Sequence, residues 1–233
     1  SSLMIEEVQV SGVRADSKTP TTYTNLNEAQ IAKSNYGQDL PYLLEGTPST
    51  VVTSDAGAGV GYTGIRIRGV DPTRTNVTVN GIPLNDSESH GVWWVNMPDF
   101  ASSSDNIQVQ RGVGTSSNGA AAFGSSINIK TDNIERNPYA VLDNSAGSFN
   151  TLRNTVKAGT GLINEKFAFD ARLSRITSDG FIDRASSNLK SFFLSGAYIG
   201  KKSILKANVF SGAERTYQAW WGIPEAKYKE DEE

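Results

Sequence analysis

The chain has 233 residues, a net charge of −3 and 37% hydrophobic residues, which suggests one or two domains and offers no basic excess for nucleic acid. It has no cysteine and one histidine, His90, which excludes disulfides, thiol chemistry and a His-rich metal site. Mean hydropathy is −0.37 and no run of about 18 apolar residues occurs, which excludes a transmembrane helix but not a β-barrel, whose strands alternate and hide their apolar face from a window average.

In chain order, the start at Ser1 reads as a processed or engineered terminus. Residues 5–12 (IEEVQVSG) read as a short extended segment ahead of any packed element. Such a segment can add as a strand to a partner's sheet edge; alternatively, Val8 and Val10 belong to the first strand of the following sheet. A strand is predicted at 21–26 and a short helix at 27–32 with Asn27 as its cap. A second helix is predicted at 39–45, with Asp39 at its N-terminus, Pro41 in its first turn and Gly46 after its end. Its apolar face is Leu40, Leu43 and Leu44.

Residues 54–62 (SDAGAGVGY) carry alternating glycines. A phosphate loop needs a preceding strand, a following helix and a Gly-Lys-Ser/Thr. Here a strand follows at 63–68 and the loop has no lysine, so a mobile surface loop is the better reading. Arg66 and Arg68 lie two apart and are expected on one strand face, where like charges require counter-charges. Residues 77–84 read as a strand with an Asn80-Gly81 turn, a strong hairpin signal. The loop 85–99 (NDSESHGVWWVNMPD) combines polar groups, the only histidine and two adjacent tryptophans. Trp93 and Trp94 either stack on a ligand ring or pack beneath the loop. Asp86, Glu88 and His90 are metal-ligand types, but their spacing is not that of a multidentate site, and no metal is assigned.

Residues 106–131 (NIQVQRGVGTSSNGAAAFGSSINIKT) open and close with alternating strands, 107–110 and 127–130, which read as half-buried. The uncharged Gly/Ser/Ala run between them implies close backbone approach. Arg111 stands alone there. A buried guanidinium needs a carboxylate, and none lies between Asn106 and Lys130, so its partner must be distant in sequence. No Lys or Arg occurs between Asn76 and Gln110.

After Asp132 the character changes to alternating segments with regular Lys and Arg. Strands are predicted at 139–143, 151–159, 167–174, 189–199 and 204–210, with turns at Gly147-Ser148 and Gly200-Lys201-Lys202. Leu152, Asn154, Val156 and Ala158 face one way; Arg153, Thr155 and Lys157 face the other. Phe167, Phe169, Ala171 and Leu173 alternate with Ala168, Asp170, Arg172 and Ser174. Apolar-out, polar-in strands of about ten residues are what an outer-membrane barrel requires. A soluble antiparallel sandwich would have to cover both apolar faces with about five strands.

Two motifs carry a resemblance. Ile65-Arg66-Ile67-Arg68-Gly69 followed by 77–85 (VTVNGIPLN) corresponds to a family pattern "xIRG … VLIDGVPLN", and 123–131 (FGSSINIKT) fits "GVINIxT". In this order and separation they resemble the plug domain of TonB-dependent outer-membrane receptors. The resemblance implies a mainly β fold: an α+β plug domain followed by the first antiparallel strands of a transmembrane β-barrel of about 22 strands. The implied division is 1–16, an N-terminal TonB-box segment; 17–133, plug; and 134–233, about five barrel strands ending in an extracellular loop. About five strands cannot close in lipid, so the chain is expected to be the N-terminal portion of a longer receptor, the rest being missing sequence or a second fragment.

The resemblance further implies a TonB box at Glu6, Glu7, Val8, Gln9 and Val10, and plug–barrel lock residues Arg68 and Arg111, with Arg66 beside them. Ligand candidates are Asp55 and Tyr62 in the glycine loop, Glu88, His90, Trp93 and Trp94 in the second loop, and Trp220 and Trp221 near the end. The implied function is TonB-dependent import of a scarce extracellular ligand across the bacterial outer membrane, with the N-terminus periplasmic and Glu233 outside. The implied partners are TonB with its inner-membrane energising complex, a small ligand such as a ferric chelate, outer-membrane lipid and, as an open option, a surface lipoprotein. No cofactor and no enzymatic activity are expected. The glycan-importing branch carries "VLKDA" where this chain has Val109-Gln110-Arg111-Gly112-Val113. That departure favours a ferric siderophore, ferric citrate, cobalamin or similar chelate. A glycan importer and a non-transporting plug-like binding module are the alternatives.

Overall fold

The computed structural model describes residues 14–114, 121–131, 134–218, 224, 225 and 227. The first unit is built on a mixed sheet of order β1-β6-β7-β4-β5. Its strands are β1 (Thr22–Asn27), β4 (Thr75–Val79), β5 (Ile82–Pro83), β6 (Asn106–Arg111) and β7 (Ser125–Lys130). The hairpin β2 (Thr50–Ser54) and β3 (Thr63–Ile67) stands apart from it. Helix α1 (Glu28–Ser34) starts at Asn27 with a reciprocal capping box: Asn27 accepts from the Gln30 N–H, and the Gln30 side chain accepts from the Asn27 N–H. Asn80 and Gly81 both take positive φ, 50° and 83°, and turn β4 into β5 as the dipeptide predicts.

Val77, Val79, Ile107, Val109, Ile127 and Ile129 form the apolar face of this sheet, packed on Ile31, Leu40, Leu43, Leu44, Trp94 and Phe100. A fully buried aliphatic side chain of this kind contributes about 1.5–3 kcal/mol. The expectation of half-buried strands is corrected for β6 and β7. Their polar alternates, Gln108, Gln110 and Asn128, are buried too. Most of their groups are satisfied internally: Thr78 donates to Asn128, Gln110 to Gln108, and Gln108 pairs both ways with the Ala15 backbone. The amide nitrogens of Asn128 and of Asn76 on β4 are the exceptions, buried with no partner among the described residues.

The second unit is an antiparallel meander of order β12-β11-β10-β9-β8. It comprises β8 (Tyr139–Gly147), β9 (Thr151–Gly159), β10 (Phe167–Ser178), β11 (Ser187–Ile199) and β12 (Ile204–Thr216). The five strands match the sequence reading, and all but β9 run longer than it. The register places Arg153, Thr155, Arg172, Ser174, Ile176, Leu189 and Phe193 on one face, where they are buried against the first unit. Leu142, Val156, Leu173, Leu194 and Val209 occupy the other face and are exposed, Leu142 at 75%. A continuous exposed apolar face on one side of a sheet marks a surface made for a non-aqueous neighbour.

Helix α2 (Leu40–Leu43) is a single turn that buries Leu40 and Leu43, and Leu44 follows them into the core. Asp39 precedes it but makes no side-chain cap. Its carboxyl is buried, accepts from the Thr63 hydroxyl at 2.8 Å, and leaves Oδ1 with no partner among the described residues. Burial pushes this carboxyl up to about 7; the Thr63 hydroxyl opposes the rise and the nearby Glu214 adds to it. The folded chain therefore keeps a proton that the unfolded chain loses near 3.8, so stability is fully present below that pH and falls as pH rises to about 7. At about 1.4 kcal/mol per pKa unit the loss is about 4 kcal/mol. Asp39→Asn, which keeps an acceptor for Thr63, should raise the thermal midpoint of the purified protein at pH 8 and leave it nearly unchanged at pH 4. An equal shift at both would show that Asp39 is not protonated in the fold.

Candidate functional site

The two units meet at the stretch 96–100 (NMPDF). Asp99 takes a left-handed backbone, φ 54°, a conformation that short polar side chains tolerate. Its side chain has no solvent exposure and ion-pairs with two arginines of the second sheet, Arg153 at 3.3 Å and Arg172 at 3.6 Å. Oδ1 also accepts from Asn35 and from Ser102 at 2.6 Å. Oδ2 accepts from Thr155 at 2.6 Å and from Ser174. Both arginines are as buried as the acid, at 1% and 2%. Arg153 reaches Asp143 at 2.5 Å and donates to the Asn35 carbonyl at 2.6 Å. Arg172 donates to Ser103, Ser174 and Ser191. Two acids, Asp143 from a half-exposed position, balance two bases, and most of the remaining donors and acceptors are used, which is the condition under which a buried ion cluster recovers its desolvation cost.

Burial alone would raise the Asp99 carboxyl; Arg153 and Arg172, helped by Ser102 and Ser174, outweigh it and hold the group below the usual carboxylate range. The Asp99 contribution is therefore present above about 3.8 and is lost only as pH falls through that lowered value.

The neighbours of Asp99 complete the contact. Phe100 packs edge-on against Phe193 and Phe210 at 6.0 and 5.2 Å between ring centres. The Pro98 carbonyl accepts from Ser191 at 2.6 Å. A Cβ on Gly212 would strike the Asn96 carbonyl, and one on Gly37 would meet the Arg153 stem at 2.9 Å, so glycine is required where the units approach most closely. A second apolar patch, Val60 and Val95 against Ile176 and Leu189, lies beyond it.

Asp99, Arg153 and Arg172 were not among the sequence candidates. The usable signal was the absence of Lys and Arg between Asn76 and Gln110: an acid buried in that stretch needs a distant cation. The arginines singled out from sequence sit elsewhere. Arg68 donates to Thr22 at 3.1 Å and Arg111 to Thr24 at 2.7 Å, both on β1. Arg66 pairs with Asp71 at 3.7 Å, half exposed. The expected shared face of Arg66 and Arg68 is corrected: β3 ends at Ile67, and Arg68 has φ 54°, so the two-residue strand period no longer holds there.

Of the ligand candidates, Asp55, Tyr62 and Trp93 converge. The Asp55 N–H donates to the Tyr62 carbonyl, and Tyr62 meets Trp93 edge-on at 6.4 Å. Asp55 accepts from Gln218, just past β12. The loop bearing Asp55 is pinned rather than loose: Ala56 is buried and its carbonyl accepts from Phe181. Glu88 and His90 are exposed on a separate turn, where Asp86 accepts from the Glu88 and Ser89 N–H groups. Trp93 is 53% exposed, whereas Trp94 is 5% exposed and lies in the core. Trp94 is thus corrected as a stacking candidate, because its ring is spent on packing. Among the described residues no three metal-ligating side chains converge. Glu6, Glu7, Val8, Gln9, Val10, Trp220 and Trp221 lie outside the described residues.

Removing one partner of a buried ion pair costs about 3–5 kcal/mol. Asp99→Ala should therefore loosen the contact by that order, read as faster proteolysis of the first unit in the detergent-solubilised protein. Cleavage at the native rate would mean that the cluster does not hold the units together.

The family model for the TonB-dependent receptor plug domain matches residues 15–126. No curated protein matches the sequence. Among solved structures, the chain is similar to the copper transporter OprC, with 15% identity and a TM-score of 0.70 over 88% of this chain and 33% of that one. It is similar to the ferripyoverdine receptor of the outer membrane of Pseudomonas aeruginosa, with 14% identity and a TM-score of 0.69 over 87% and 27%. It is also similar to the ferric-catecholate import receptor Fiu of E. coli K12, with 20% identity and a TM-score of 0.67 over 84% and 27%. At these identities the likeness is one of fold, and the chain spans about a quarter to a third of those receptors' lengths. Residues 15–126 are a plug domain of the TonB-dependent receptor family, and the strands after it are arranged as the first barrel strands of such receptors.

Proposed function

We propose that this chain is the plug and first wall strands of an outer-membrane receptor that imports a scarce extracellular metal chelate, energised by TonB acting on 6–10. The observation that carries the reading is the Asp99–Arg153–Arg172 contact. It joins plug to wall by non-covalent polar bonds, beside the Phe100–Phe193 contact through which the plug's apolar cluster reaches the wall. Such a joint can be opened by a pull on the N-terminus without unfolding the whole receptor. The chelate class draws on the neighbours that bind ferripyoverdine or import ferric catecholates. Asp55, Tyr62 and Trp93 are its proposed contacts at the outer end, near the end of β12. With the first wall strand leaving from the periplasmic side, the fifth ends outside, which puts 217–233 in an extracellular loop.

Arg68 and Arg111 keep their proposed lock role toward wall strands beyond this chain. Both guanidiniums converge on β1 and neither ion-pairs among the described residues. Two neighbouring cations require an anion, and carboxylates on later strands would supply it.

Uptake of a radiolabelled ferric chelate by cells carrying the full receptor tests this directly. Native cells should accumulate it and a deletion strain should not. Val8→Pro, which removes an extended-strand donor, should abolish accumulation while surface binding persists. Accumulation equal to that of the deletion strain, with oligosaccharide uptake dependent on the receptor, would instead assign a glycan.

A further inference from the structure

The plug meets the wall a second time, around a carboxyl that has no cation. Asp39 is 3% exposed. Its N–H donates to the Gly59 carbonyl at 2.8 Å, which ties it to the glycine loop 55–62. The next residue of that loop, Val60, packs with Val95 on Ile176 and Leu189 of the wall. Leu189 stands directly opposite Glu214 on β12, so Glu214 belongs to the plug-facing row. The rest of the loop follows the wall closely. A Cβ on Gly57 would meet Phe181 at 2.9 Å, and one on Gly61 the Ser187 hydroxyl at 2.8 Å. The Ala56 carbonyl accepts from the Phe181 N–H, and Asp55 accepts from Gln218.

The lack of a counter-charge makes this contact conditional. Asp39 Oδ2 has the Thr63 hydroxyl, and Oδ1 has no partner among the described residues. The elements packed around Asp39 bring Glu214 from β12, Tyr42 from α2, and Asp55 and Tyr62 from the loop. None of these is a cation, and no described residue ion-pairs with Asp39. Arg66 on β3 falls on the face opposite Thr63. Arg215 alternates with Glu214 and turns away from the plug. Arg153, which meets Gly37, is taken by Asp99 and Asp143. An ionised Asp39 would thus be uncompensated in its seat, with a second carboxylate across the contact. It stays dry only while it holds a proton. Lifting the loop admits water and releases that proton, so by linkage the seat weakens as pH rises from the ordinary carboxylate range to about 7. The Asp99 contact, with its two guanidiniums, keeps its charge over that whole range.

We propose that Asp39 is a proton-operated catch: protonated, it seats the glycine loop on the wall, and ionised, it lets the loop lift while the Asp99 contact stays closed. One end of the plug then responds to pH independently of the other. The loop carries Asp55 and Tyr62, so the catch controls the proposed ligand contacts; that consequence, though not the catch itself, rests on the import reading above.

Hydrogen exchange of the full receptor in detergent, without chelate or TonB, tests this when read by peptide and corrected for the intrinsic rate at each pH. Opening of 55–62 should increase about tenfold per pH unit between pH 5 and 7 and level off above about 7. At each pH the loop should exchange well ahead of β6 and β7. Asp39→Asn should abolish the slope. Glu214→Gln, which removes the like charge, should bring the levelling-off to lower pH. A native loop with no slope, a slope that persists in Asp39→Asn, or a loop that exchanges only together with β6 and β7 would each overturn the proposal. Chelate uptake is scored separately. Uptake by a receptor whose loop shows no slope defeats only the catch, and a slope without uptake supports the catch and defeats only the import reading.

Discussion

A carboxylate with no access to water sets the terms for this molecule. Asp99 could not remain charged there without the two guanidiniums that reach it from the wall, and those arginines could not stay buried without it. Around this charge cluster the residues on either side find their places. Phe100 enters the aromatic pair of β11 and β12, Pro98 takes the Ser191 hydroxyl, and Gly212 clears space for the Asn96 carbonyl. Apolar contacts flank the charge cluster on both sides: Phe193 of the wall joins the plug's core through Phe100, and Val60 and Val95 pack on Ile176 and Leu189.

The wall sheet has two unlike faces. Its plug-facing rows carry Arg153, Arg172, Asp143 and a series of hydroxyls, and its outward rows carry leucine, valine and phenylalanine. Period-two alternation is what permits one strand to do both. It also explains why mean hydropathy is uninformative for this chain, since each strand averages its two faces.

Much of the fold was legible because local chemistry decided it. Asn27 followed by Gln30, the Asn80-Gly81 turn and the alternation at 151–159 and 167–174 each specify a backbone shape within a few residues. The site was less legible because it depends on pairs far apart in the chain. The search for a distant partner was applied to Arg111, a cation in an uncharged run, and not to Asp99, an acid in a stretch without cations. Only the structure shows that Asp99 is the buried member, and that Arg111 is met by a hydroxyl of β1. Trp93 and Trp94 are adjacent and chemically identical, and a 3₁₀ turn starting at Trp94 sends one inward and leaves the other exposed. For Arg66 and Arg68, one residue with positive φ was enough to cancel a sound periodicity argument.

The seat of the plug is tested most directly by a double-mutant cycle on the full receptor, using Asp99→Asn and Arg172→Gln singly and together. Plug release in detergent is followed by the rate of proteolysis in the opened state. If the two groups act on each other across the contact, the double variant loses less than the sum of the single losses, with a coupling of about 1–3 kcal/mol. Additive losses would mean that Asp99 and Arg172 act independently, and the plug would have to be seated by other contacts.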